Sequence, residues 1–164
     1  MAINQGFIAE MREESGATRK MLERIPADKF DWKPHEKSMS MGQLSVLVAD
    51  MFGWLSFMID EEELDFAKGY EQPKPASTDE LIGFFDKQLE SGLTSLKHAD
   101  DPVFSERWTL RNGDQVYMET SKLDVVRQTI NHMVHHRGQL SVYLRLNDIP
   151  VPPIYGPSAD EGKM

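Results

Sequence analysis

Cysteine is absent from the chain. Its absence excludes a disulfide framework, a thiolate metal site and a cysteine nucleophile, and is compatible with a reducing cytoplasm. Long apolar runs are missing as well: nowhere do about eighteen consecutive apolar residues occur, the length a bilayer-spanning helix needs. The start, Met1-Ala2-Ile3-Asn4-Gln5, has neither the charged nor the apolar region of a secretory leader. A cytoplasmic protein without a membrane partner is expected. Basic residues are in deficit, with 18 Lys and Arg against 27 Asp and Glu and a formal charge of -9. Such a surface repels phosphate backbones, and the lysines and arginines are scattered rather than striped, so nucleic acid is not expected as a partner. A length of 164 residues suits a single domain, 1–164.

What is present is helical periodicity. Ile8, Met11, Ser15, Thr18, Leu22 and Ile25 step by three and four between charged residues, which predicts an amphipathic helix from Phe7 to Ile25, ended by Pro26. The stretch Ala27 to Met39 carries Phe30, Trp32 and Pro34 and reads as a loop pinned by its rings. Ser40 with Gln43 is a capping box opening a second helix with Leu44, Leu47, Met51, Leu55 and Met58 in one stripe. Gly53 inside it hints at the close approach of a neighbour, and Asp60 to Glu63 read as a solvated helix end. Ser77-Thr78-Asp79-Glu80 caps a third helix, with Leu81, Phe84 or Phe85, Gln88, Leu89, Leu93 and Leu96 inward. Around Arg111-Asn112-Gly113-Asp114 a small hairpin or irregular excursion is expected. Ser121 then caps a long last helix, closed by Asn147 and Pro150. Four amphipathic helices with one excursion predict an all-α four-helix bundle.

The last helix carries three of the five histidines, in Asn131-His132-Met133-Val134-His135-His136-Arg137-Gly138-Gln139-Leu140. Four residues apart, His132 and His136 lie one turn from each other with Cβ atoms roughly 6 Å apart, so two imidazoles can share one divalent ion. His135 points about 100° away from His136. The same spacing also describes a hydrogen-bonded interior histidine with two neighbours at a helix edge. Met133 stands where a zinc peptidase would carry its glutamate, so that chemistry is not implied. Arg137 and Gln139 are candidates to orient an anionic ligand, although an arginine on a helix flank commonly pairs at the surface. Trp54 is a candidate pocket wall. His35 and His98 read as exposed loop residues, and Gly138 as a point of close packing.

The run from His132 to Leu140, the following Tyr143-Leu144-Arg145, the end Val151-Pro152-Pro153-Ile154-Tyr155-Gly156-Pro157-Ser158 and the earlier Trp32-Lys33-Pro34-His35-Glu36-Lys37-Ser38-Met39-Ser40 resemble the DinB family. The resemblance implies an up-down-down-up bundle, usually a homodimer, with nickel or zinc held by three histidines: one on the second helix and a His-x-x-x-His pair on the last. It further implies a small-molecule ligand and an activity of the thiol-dependent S-transferase, isomerase or hydrolase type, in which the metal turns a low-molecular-weight thiol into a thiolate.

The pair matches His132 and His136. The second-helix histidine is expected in a stretch that here reads Leu44-Ser45-Val46-Leu47-Val48-Ala49, so Leu47 stands at the third ligand position. Three outcomes follow: a lost site with Leu47 filling the space, a weak two-histidine site completed by water, or substitution by Asp50 one turn along, a residue that also reads as a solvent-facing acid. The alternative to an enzyme is a non-catalytic stress-related small-molecule-binding or interaction protein that keeps the bundle without the metal.

Overall fold

A computed structural model describes residues 2–162. Four long helices, α1 (Ile3–Leu22), α2 (Met41–Asp60), α3 (Thr78–His98) and α4 (Lys122–Leu146), are joined by a three-stranded sheet of β1 (Glu63–Asp65), β2 (Arg107–Asn112) and β3 (Gln115–Ser121). Three starts are capped as their serines predict: Ser40 Oγ accepts from Gln43 N in a full capping box, Ser77 from Glu80 N and Ser121 from Asp124 N. Helix α1 begins four residues before the expected start, because Asn4 and Phe7 are already buried, and ends at Leu22.

Pairwise contacts give the helix directions. Asp50 meets Gln88 and, further along both helices, Asp60 accepts from Ser95 at 2.6 Å, so α2 and α3 run parallel. Thr129 donates to the Met58 sulfur and Trp54 lies beside His132, so α4 is antiparallel to α2. Glu10 pairs with Arg127 and Glu14 with Arg137, so α1 and α4 are parallel. The order is up-down-down-up.

Helix α2 is the axis of the core. Its 18-residue apolar window has a mean hydropathy of 1.4, enough to cross a membrane by length and composition, but 67% of that window is buried inside the bundle. Its apolarity is accounted for by α3 on one side and α4 on the other. The loop before it is pinned as expected: Trp32 packs edge-on to Tyr143 with centroids 5.5 Å apart, and the Phe30 carbonyl accepts from Gly42 N at 2.8 Å.

The four expected helices are present, and a three-stranded sheet in the order β1-β2-β3 accompanies them. The excursion is a regular hairpin, β2 antiparallel to β3, turning at Gly113 with φ +57° and bulged between Leu110 and Arg111. The residues after Asp60 do not remain a solvated helix end. They enter β1, which pairs in parallel with β2 in the register Glu63 to Thr109, Leu64 to Leu110 and Asp65 to Arg111. Three residues are too few to show a period of two, and their partner lies beyond a whole helix in sequence.

Candidate functional site

Helix geometry brings His132 and His136 together on α4, and their ring centroids are 4.6 Å apart. One Nε2 donates to the other at 2.8 Å. His136 Nδ1 lies 2.7 Å from Gln139 Oε1, and Gln139 Nε2 lies 3.1 Å from His135 Nε2. An amide oxygen can only accept and an amide nitrogen only donate, so with the Gln139 amide in this orientation His136 Nδ1 is the donor to Gln139 Oε1, and in the neutral ring its Nε2 accepts from His132 Nε2. Gln139 therefore belongs to the site, as a clamp that fixes the His136 tautomer. His135 joins through Gln139 and does not converge with the pair.

The His132 ring packs 6.3 Å from Trp54. Partial desolvation there, and then the neighbouring charges of His136 and His135, hold its pKa below the ordinary 6.5. The folded state thus favours neutral imidazole, and between its lowered value and 6.5 the unfolded chain binds more protons. Stability should be complete above 6.5 and fall as the pH drops through that window. An NMR titration is expected to place His132 below 6.5, with urea midpoints lower at about pH 5.5 than at about pH 7.5. A His132 midpoint at or above 6.5 would contradict this electrostatic picture.

Leu47 is half-buried on α2 and packs against the core. With Gln43, Asp50 and Trp54 it forms one face of α2, stepping by three and four, on the side where Trp54 meets His132. Asp50 is not a solvent-facing acid. It is 3% exposed, and its Oδ2 accepts from Trp54 Nε1 at 2.8 Å and Tyr70 Oη at 2.7 Å, while Oδ1 accepts from Gln88 Nε2. Gly53 explains how Gln88 reaches it: a Cβ on Gly53 would occupy the space of the Gln88 amide. The expected close approach at Gly53 is thus a side chain of α3. Tyr70 escaped the sequence reading, since its only signal is an aromatic ring in a Gly- and Pro-rich loop. Burial and the Asp50 carboxylate push its phenol pKa up, so it stays a neutral donor.

Two further expectations are corrected. Arg137 does not face the histidines and is not a surface residue: it is 1% exposed, pairs with Glu14 at 2.5 Å and donates to Thr18 Oγ1 at 3.1 Å and to Tyr155 Oη at 2.8 Å. One position past His136 the helix has turned by about 100°, which carries the side chain to α1. Gly138 is exposed and an added Cβ would meet open space, so it mediates no close packing. His35 is exposed in the loop before α2, and His98 is exposed at the last position of α3 rather than in a loop. Among the described residues no group of three His, Cys, Asp or Glu side chains is placed to hold a metal ion.

Comparison with known proteins agrees with this architecture. The model of the DinB family matches residues 1–163. A Bacillus subtilis (strain 168) protein described as "uncharacterized protein YrdA" is 23% identical over 157 residues, covering 94% of this chain and 89% of its own length. Among solved structures, a DinB-like protein of Bacillus subtilis, YjoA, superposes with a TM-score of 0.72 at 18% identity, covering 97% of this chain and 99% of that one. A DinB-like protein of Bacillus cereus ATCC 10987 does so with a TM-score of 0.69 at 18% identity, over 94% and 98%.

Proposed function

The chain belongs to the DinB family, and from that membership we propose that it is a non-catalytic, small-molecule-binding form of the bundle rather than a metal-dependent transferase. The carrying observation is the donor set. A catalytic zinc or similar ion is held by three protein ligands with one position open. Here two imidazole nitrogens converge, Leu47 occupies the α2 position that the family resemblance gives to a third histidine, and the candidate substitute, Asp50, already accepts from three donors. Recruiting Asp50 would strip those bonds from a buried carboxylate, and two imidazoles alone give a weak site. The residues therefore do not fit the three-ligand centre that the family implies, and no reaction step is assigned to a metal.

The metal-dependent thiol-transferase reading has one observation in its favour: both Nε2 atoms of the pair point at each other rather than apart. Metal content distinguishes the two. Untagged protein exposed to nickel or zinc, then dialysed and measured by mass spectrometry, is expected to retain far less than one ion per chain, with His136→Ala no different and Leu47→His approaching one. Near-stoichiometric metal in the parent, lost in His136→Ala, would overturn the proposal and direct attention to thiol-transfer assays.

A further inference from the structure

We propose that Asp50 anchors a binding site for a small organic ammonium ion, and that Tyr70 closes this site by occupying the place of the ligand's cationic head. The inference rests on the binding-protein reading above and gives it a ligand class.

The first argument is charge. All three donors to the Asp50 carboxylate, Trp54, Gln88 and Tyr70, are neutral, and among the described residues no Lys, Arg or His forms an ion pair with it. A buried carboxylate is stabilised most by a cation, and the protein supplies none. Glu14, the other buried acid bonded to a tyrosine, does have its arginine. That contrast marks Asp50 as the buried acid that lacks a countercharge.

The second argument is that the donors are unequally held. Gln88 is seated in the space left by Gly53, and Trp54 sits one turn from Asp50 on the same helix. Tyr70 comes from the segment after β1, just past Gly69 with φ +74°, and remains 65% exposed although its hydroxyl reaches the carboxylate. Besides Tyr70, the segment is tied to this face of α2 by Gln72, which donates to the Gln43 carbonyl at 3.0 Å. Releasing Tyr70 would open Oδ2 while Gln88 and Trp54 hold the carboxylate in place.

The third argument is what fits the vacated place. An alcohol would exchange one neutral hydroxyl donor for another and gain little. A primary ammonium would give Oδ2 a charge-assisted bond and supply the missing countercharge.

The test is calorimetric titration of full-length, chelator-treated protein with n-butylammonium chloride, with n-butanol as neutral isostere and KCl as the ionic control. Butylammonium is expected to bind the parent and butanol not to. Tyr70→Phe, which removes the competing hydroxyl, should bind butylammonium about tenfold tighter, the worth of one hydrogen bond to a charged group. Asp50→Asn should lose binding with its circular dichroism intact. Equal binding of butanol, no gain in Tyr70→Phe, or retained binding in Asp50→Asn would overturn the proposal. If Asp50→Asn does not fold, the butanol comparison and Tyr70→Phe decide alone. Nickel retained by a separate portion of the same protein, exposed to nickel and dialysed rather than chelator-treated, reports on the binding-protein reading, since the metal assay can fail while the ammonium titration succeeds, and the reverse.

Discussion

Truncating Glu14 to alanine is expected to cost about 3–5 kcal/mol of folding free energy, because it strands a buried guanidinium. Arg137 is 1% exposed, and Glu14 supplies its carboxylate at 2.5 Å. What remains after truncation is Thr18 Oγ1, the backbone carbonyl of residue 14 and the Tyr155 hydroxyl, all neutral. Removing the pair together is a different operation. With Glu14→Gln and Arg137→Met combined, no charge is left unpaired, and a buried ion pair replaced by neutral groups of similar volume is often close to neutral in stability. The double variant should therefore be more stable than Glu14→Ala, with strong non-additivity between the single changes. Urea unfolding followed by circular dichroism reads this directly. Additive losses would mean that the pair contributes nothing as a pair. The Tyr155 hydroxyl donates to Glu14 at 2.9 Å and accepts from Arg137, so the cluster also ties the C-terminal segment to α1 and α4.

Alanine at position 92 is expected to be the next most damaging change, at about 3 kcal/mol. Glycine in a helix interior is normally a weakness, and its replacement by alanine gains about 0.5–1 kcal/mol. Gly92 reverses that sign. An added Cβ would run into the backbone carbonyl oxygen of Phe52 and lie 3.5 Å from the Leu55 Cβ. A side chain could rotate away, but a carbonyl inside α2 cannot, so the two parallel helices must separate. Separation loosens the edge-on stack of Phe52 and Phe85, whose centroids are 5.1 Å apart. Gly16 is the control: it lies exposed on α1 with nothing within reach of a Cβ, and Gly16→Ala should stabilise by about 0.5–1 kcal/mol. The two alanines should shift the urea midpoint in opposite directions at an unchanged slope. If Gly92→Ala is as stable as Gly16→Ala, the closeness of α2 and α3 is wrong.

The local features were legible because they are written in neighbouring residues. Ser40, Ser77 and Ser121 each begin a helix, the apolar steps of three and four fill the core, and Asn112-Gly113 marks the hairpin turn. The His132–His136 pair follows from one helical turn, and the mismatch at Leu47 is visible in six letters of sequence. Gln139 was a candidate for the site, and its role as a tautomer clamp follows from the same helical spacing.

The sequence by itself determined the four helices, the serine caps of three of them, the histidine pair and the absence of a histidine from α2, since each is written within a turn or two of chain. Only the tertiary structure decided that β1 pairs with β2, that Arg137 and Asp50 are buried, and that Tyr70 covers Asp50. A charged residue has no burial written into its own neighbourhood. Whether it can leave water depends on the partner that meets it, and Glu14, Gln88 and Tyr70 come from segments whose placement only the packed bundle fixes.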